Sequence, residues 1–497
     1  MDFLTSSLLC LLLAWFLLQA FKSFRTGRKS SESKLPPGPR RLPIFGNLFE
    51  LGDKPHRSLA KLAQVHGPVM SLKLGSLFTV VVSSEATAKE ILQRQDLTFS
   101  NRTVVDAVRA CQHHEVALPW LPVSPIWRTL RKVCNTHLFT TPKLDANEHL
   151  RRDKIQQLIA SVGNCCLKGE AVSIGQAAFE TTINLLSNTI FSVDLVGPNS
   201  SNAQEFKKTV SNIMENAGKP NLADYFPLLQ KIDPQGIRRR VTVHLDMLLD
   251  LFEKMYDERR GSRKSQVSND VLDTLLQIIE GGTEELNKSH VLHLLSVLFI
   301  AGTDTTSATL EWAMAELLRN QHVLHKAKKE LEQAIGKGNP VEESDINRLS
   351  YLQAIVKETF RMHPAVPLLL PRRAGSDAEL GGFRIPQGSQ VLVNVWAMGR
   401  NPSIWENPNS FIPERFLGSE VDVKGRDFGL IPFGGGRRIC PGLPLAIRML
   451  HLMLGSLINC FDWELEGGLS PDEIDMEEKF GISVQMAKPL RAIPILV

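Results

Sequence analysis

Apolar residues follow different rhythms along this chain, and each rhythm predicts a different element. Residues Phe3 to Phe21 are apolar almost without a break (Leu4, Leu8, Leu9, Leu11, Leu12, Leu13, Trp15, Phe16, Leu17, Leu18), which is long enough for a helix to cross a bilayer. Basic residues follow only on the far side, at Lys22, Arg25, Arg28, Lys29 and Lys34, so the positive-inside rule predicts an anchor with the remaining chain in the cytosol. That charge order is the reverse of a cleaved signal peptide. Leu35-Pro36-Pro37-Gly38-Pro39 has fixed backbone angles and reads as a stiff spacer. The predicted organisation is therefore an anchor over residues 1–21, a basic and Pro-rich linker over 22–43 and one body over 44–497.

Within the body, Val69 to Leu74 and Leu77 to Val82 alternate about Gly75-Ser76 and predict a hairpin. Gly382 to Ile385 and Gln390 to Val395 predict a second one across Pro386-Gln387-Gly388. Asn101 to Leu121 has neither helical nor strand period and reads as a long loop able to cover a pocket. Its His113-His114 pair lacks a third ligand nearby and reads as exposed or locally bonded imidazoles. From about Glu205 to Ile279 the pattern is of amphipathic helices, broken at Gly218-Lys219-Pro220, at Phe226-Pro227 and over Gly261 to Asp270. Ser289 to Leu318 predicts a longer helix whose first half is apolar on every face (Val291, Leu292, Leu294, Leu295, Val297, Leu298, Phe299, Ile300), so it has to pass through the interior. The expected class is mainly α with small β-sheets.

Composition narrows this further. The 497 residues contain no long linker or low-complexity run, which favours one large domain. A net charge of +4 and 43% hydrophobic residues give no footprint for nucleic acid. The seven cysteines form no paired or zinc-like framework, as expected of a reducing compartment.

Candidate chemistry concentrates in Phe433-Gly434-Gly435-Gly436-Arg437-Arg438-Ile439-Cys440-Pro441-Gly442. Three glycines let a backbone lie against a flat partner, and a cysteine before Pro-Gly sits at a turn. A single thiolate is wrong for zinc or an iron–sulfur cluster but suits an axial haem ligand. The two arginines are expected to lower its pKa and to grip carboxylates. Elsewhere, Trp127 and Arg131 lie at i and i+4 on a helix after Pro125, where both can donate to a carboxylate. Arg128 and Lys132 on neighbouring faces offer a basic surface to an acidic electron donor. Midway along the long helix, Ala301-Gly302-Thr303-Asp304-Thr305-Thr306 gathers poor helix formers and hydroxyls. That segment is expected to let the helix open and admit water or dioxygen. Glu358 and Arg361 lie at i and i+3 on a helix that stops at His363-Pro364.

The pattern of Phe433, Gly436, Arg438, Cys440 and Gly442 closely resembles the haem loop of the cytochrome P-450 monooxygenases. Anchor, Pro-rich spacer, Trp-x-x-x-Arg, oxygen helix, Glu-x-x-Arg, Pro413-Glu414-Arg415-Phe416 and ligand loop also follow in that family's order. The resemblance implies haem b (iron protoporphyrin IX) on Cys440, cradled by Trp127, Arg131, Ala301, Arg372, Phe433, Arg438 and Gly442. It implies that Thr305 hydrogen-bonds oxygen during its activation while Asp304 relays protons, and that Glu358, Arg361 and Arg415 clamp the ligand loop. Leu118, Trp120, Phe299, Ala301, Val366, Leu369, Phe480 and Ile482 would line the substrate pocket, with Ala217 to Phe226 over its entrance. The implied partners are NADPH-cytochrome P-450 reductase, membrane lipid, O2 and a small hydrophobic substrate, for a monomer in the endoplasmic reticulum membrane. Stretches such as Ala223-Asp224-Tyr225-Phe226-Pro227 and Cys440-Pro441-Gly442-Leu443-Pro444-Leu445-Ala446 resemble plant microsomal members of the geraniol hydroxylase and ferruginol synthase group. That points to hydroxylation of a monoterpenol or abietane-type diterpene, with a phenylpropanoid or alkaloid as the alternative. A haem-thiolate isomerase or dehydratase, or a non-catalytic haem binder, would have no need of the Asp304-Thr305 pair.

Overall fold

The computed structural model describes residues 35–197, 201–262, 270–281 and 286–497; the predicted anchor lies outside them. The first hairpin forms as its alternation predicts, with Val69 opposite Val82 and Leu74 opposite Leu77. It becomes the edge of a five-stranded sheet that continues through Gln390–Val393, Arg372–Arg373 and Asn101–Arg102.

The second predicted hairpin does not form. Phe383–Ile385 pairs with Ala378–Leu380, whereas Gln390–Val393 runs parallel to Leu77–Val82 in the larger sheet. The overlooked signal is Gly381-Gly382, whose φ values of 58° and 79° make the two-residue turn that side chains resist. Gly388 (φ 82°) instead lies in the bend that carries the chain away to another partner.

Helices make up most of the fold. Lys288–Arg319 is opened by a capping box between Asn287 and His290, and its side chains are buried nearly end to end. It packs lengthwise on Ile174–Phe191 and crosses Leu443–Cys460. Both Lys288–Arg319 and Leu443–Cys460 are long and apolar enough to span a bilayer, yet both are mostly buried inside the protein. Their apolar faces are satisfied by other side chains. The segment from Glu205 to Ile279 divides at its three predicted breakers and once more, at Asp233-Pro234-Gln235-Gly236, into Ser201–Gly218, Leu222–Tyr225, Pro227–Lys231, Ile237–Ser262 and Val271–Glu280.

Candidate active site

The glycine-rich loop folds back on itself through a hydrogen bond from Cys440 N–H to Phe433 O (3.0 Å). Gly436 has φ 65°, and a Cβ there would stand 1.7 Å from Leu92 O, so no side chain fits. Phe433 is fixed by an edge-on contact with Phe360, 5.1 Å between ring centroids. Gly442 caps the helix Leu443–Cys460, and the backbone N–H groups of Gly442 and Leu443 donate to the Cys440 sulfur. Cys440 carries accessible surface although protein surrounds it on every side, so it lines an internal space. Burial raises the thiol pKa above its ordinary value despite those two donors and the facing Arg131.

This corrects the expectation for the flanking arginines. Arg437 pairs with Asp96 at 3.0 Å, and Arg438 turns to the carbonyls of Ser100, Pro119 and Leu121. The guanidinium acting on the sulfur is Arg131. A thiol kept neutral by burial is deprotonated when a metal cation coordinates it, and no cluster of three or more His, Cys, Asp or Glu that could hold a metal occurs among the described residues. The donor set thus fits a single sulfur ligand to a metal whose other ligands would come from a cofactor.

Behind the space runs the central helix. Ala301 is exposed although Phe299, Ile300 and Thr303 beside it are buried, so it too faces an internal space. Thr303, Thr305, Ser307 and Thr309 each donate to the carbonyl four residues back, Thr305 Oγ1 to Ala301 O at 2.7 Å. The expected opening of the helix is absent: Lys288–Arg319 is α-helical throughout. A Cβ on Gly302 would meet Leu186 Cδ1 at 2.9 Å, a contact that the end of a flexible side chain can relieve. Asp304 is buried at 1% exposure, and desolvation pushes its pKa up to about 6.

A second feature is a set of three guanidiniums that form no salt bridge among the described residues, although the Asp96 carboxylate acts on one of them, Arg372. Arg102, missed in the sequence, donates to Pro119 O and Leu370 O (3.1 and 2.7 Å). Arg372 donates to Phe99 O at 3.1 Å, and its Nε is buried without a partner. Arg438 lies 5.0 Å from the Trp127 ring centroid. Burial, then the other two cations, pushes Arg102 well below the usual arginine range, and burial brings Arg372 and Arg438 down to about 10. An anionic ligand beside such a cluster would offset the cost of burying its charge, and the two carboxylates of a porphyrin suit it. Trp127 is positioned by Pro125–Val133, whose first turn Ser124 caps by accepting from Trp127 N–H at 3.3 Å. Arg128 and Lys132 on the same helix are exposed.

The expected clamp is present as geometry. Glu358, fully buried, accepts from Arg361 Nε and Nη2 (2.6 and 2.8 Å), from Arg415 Nε (3.2 Å) and from Ile412 N–H (2.8 Å). Arg361 also donates to the carbonyls of Gly399, Pro408 and Ser410. The Trp405 ring lies 5.6 Å from one guanidinium and 6.0 Å from the other.

The predicted pocket residues divide. Leu118 and Trp120 are buried in the cluster that also holds Trp127 and Ile300, with Ile482 packed against it. Leu369 has φ 51°, and its Cδ1 would lie 3.7 Å from a Cβ on Gly434, which brings it to the ligand loop. Val366 is half-buried. Phe480 stacks on His56 with 5.4 Å between centroids. Phe299 is a correction: it is wholly buried against Phe252, Phe191 and Phe206 (4.9, 5.8 and 6.4 Å). Two residues before Ala301, it occupies nearly the opposite face of the helix.

The stretch from Asn101 to Leu121 is also more ordered than a loop. It holds Asp106–Gln112 and His113–Val116 as short helices, with left-handed φ at Cys111 and Gln112. His113 is buried, and its Nδ1 lies 2.8 Å from Nδ1 of His293 on the central helix. Burial, then the other imidazoles, lowers both, to about 3 and about 4, so the pair is neutral. Asp106 pairs with Arg238 (3.0 Å), and its N–H donates to Asp224. That carboxyl is pushed by burial from 3.8 to about 7. A carboxyl whose folded pKa is raised contributes stability below its unfolded pKa and loses it as pH climbs through the folded value. Wild-type thermal stability is therefore expected to fall relative to Asp224→Asn as pH rises from about 4 to about 7 and to stay level above that. A stability difference that ignores pH over this window would contradict the burial.

The helical body, the Cys440 sulfur at a helix N-terminus and the cluster of buried arginines fit a haem-binding protein. The model of the cytochrome P450 family matches residues 36–491, and the chain belongs to that family. It is 54% identical over 495 residues to geraniol 8-hydroxylase of Catharanthus roseus, covering 99% of each chain. It is also 54% identical over 469 residues to drimenol monooxygenase of Persicaria hydropiper, covering 94% of this chain and 93% of the other. With geranylhydroquinone 3''-hydroxylase of Arnebia euchroma the identity is 48% over 490 residues, covering 98% of each.

Proposed function

We propose that this cytochrome P450 monooxygenase hydroxylates a C–H bond of a terpenoid alcohol, geraniol first among the compounds to assay. The names of the relatives speak for monoterpenols and other prenyl-chain alcohols, and abietane-type diterpenes are the second class to test. Electrons come from NADPH-cytochrome P-450 reductase, which docks on the exposed basic face of Arg128 and Lys132. Residues 1–21 anchor a monomer in the endoplasmic reticulum membrane, residues 22–43 link, and residues 44–497 catalyse.

The observation that carries this reading is the Cys440 sulfur facing internal space, together with the arginines Arg102, Arg372 and Arg438 that form no salt bridge among the described residues. Haem, when bound, supplies the iron and the oxygen-activating redox chemistry that no side chain possesses. Cys440 would hold it, Arg131, Arg102, Arg372 and Arg438 would neutralise its carboxylates with the Trp127 indole N–H as a further donor, and Phe433, Gly442 and Ala301 would shape the flat cradle. Leu118, Trp120, Val366, Leu369 and Ile482 exclude water from the reacting carbon. Thr305 Oγ1 is the hydroxyl available to orient a proton. Asp304, with a pKa near 6, is the group able to pick one up from solvent at neutral pH.

Reductase-coupled microsomes incubated with geraniol and with abietanes, read by mass spectrometry, test the substrate class. In Thr305→Ala, NADPH consumption is expected to persist while product per NADPH falls roughly tenfold or more. Tightly coupled turnover in that variant would refute the role given to Thr305.

A further inference from the structure

Asp304 is not held by its own helix. Ser483 Oγ donates to its Oδ2 and Gln485 Nε2 to its Oδ1, from 179 and 181 residues away in sequence. Both donors lie at the turn that joins Glu478–Lys479 to Gln485–Met486. The turn itself is tied down on several sides. Ile482 N–H donates to Met214 O (2.9 Å) on the helix Ser201–Gly218, and Val484 N–H donates to Ala365 O (2.8 Å) beside Val366. Trp312 Nε1 donates to Val484 O at 3.4 Å. Thr305 Oγ1 meanwhile donates to Ala301 O, so each polar atom of the acid and of the alcohol is engaged elsewhere.

We propose that Ser483 and Gln485 are positioning residues for proton delivery. They hold the Asp304 carboxylate toward the C-terminal turn and govern its proton uptake. The proposal rests on Asp304 being the relay acid. The charged groups facing Asp304 are Lys207 on Ser201–Gly218 and Lys479 on the C-terminal hairpin, and both favour its ionised form. Lys207 also faces Glu311 and Glu180, and Lys479 pairs with Glu215 at 2.7 Å. Neither lysine donates a hydrogen bond to Asp304 among the described contacts, so the directional grip comes from the serine and the glutamine. Donors to a carboxylate favour its ionised state, so their removal raises the pH at which it protonates.

The test follows the infrared carboxyl band of Asp304, isolated by subtraction of Asp304→Asn, against pH in the haem-loaded full chain. In the double variant Ser483→Ala, Gln485→Met its midpoint is expected to rise by about one pH unit or more. Ser483→Thr, which keeps the hydroxyl, is expected to leave the midpoint near wild type, and Gln485→Met alone to give a smaller rise in a protein with its buried serine intact. The pH profile of product per NADPH moves in the same direction. An unmoved midpoint in both Gln485→Met and the double variant overturns the proposal even if Asp304→Asn cripples turnover. Unchanged coupling in Asp304→Asn instead removes the relay assignment, and with it the proton-delivery role of the two donors.

Discussion

Replacing Cys440 with alanine is expected to abolish the thiolate-type Soret band of the reduced carbon monoxide complex and to take hydroxylation below detection. The loop's own bonds explain why so small a change acts so completely. The contacts that shape it, Cys440 N–H to Phe433 O and Ile439 N–H to Gly436 O (3.0 and 3.1 Å), are backbone bonds that alanine retains. The fold therefore survives, and what disappears is the sulfur held by the Gly442 and Leu443 N–H groups at a helix N-terminus. No neighbouring cysteine replaces it: Cys134 is buried in the Trp127 cluster, where burial pushes its pKa up to about 12. Circular dichroism should report wild-type helix content in the same preparation that lacks the band. A retained thiolate-type band would mean that another sulfur is the ligand.

Glu358→Ala is expected to be the most damaging substitution outside the cofactor cradle, at about 3–5 kcal/mol of stability. The buried guanidinium of Arg361, the half-buried one of Arg415 and the Ile412 N–H converge on this one carboxylate, and its removal leaves the charges of Arg361 and Arg415 without an anion. Glu358→Gln retains an acceptor but not the charge, and should fall between wild type and alanine. Because Arg361 also holds the carbonyls of Gly399, Pro408 and Ser410, the loss should spread along the segment that leads to the ligand loop. Denaturant unfolding together with the haem-to-protein ratio of purified material would measure both effects. A penalty below about 1 kcal/mol, the scale of an exposed pair, would contradict the clamp.

Features set by local pattern were legible in the chain. The Val69 to Val82 hairpin, the end of the Glu358 helix before Pro364 and the apolar central helix each follow from a period or a breaker within a few residues. Cys440 stood out because glycines, arginines and Pro-Gly surround it at fixed spacing. What escaped depended on partners distant in sequence. Gln390–Val393 presents a strand pattern but not its partner, which is Leu77–Val82 more than three hundred residues earlier. Phe299 and Ala301 look equally suited to line a pocket, and only helix packing sends the phenylalanine to an aromatic cluster and the alanine to internal space. Arg102 carries no local signal, because its meaning lies in Arg372 and Arg438 more than two hundred residues later.

Iron K-edge X-ray absorption on the purified holoprotein tests the central claim most directly. One sulfur atom is expected in the first shell of iron, lost in Cys440→His while the porphyrin nitrogens remain. A first shell of nitrogen and oxygen alone in the wild-type protein would contradict it.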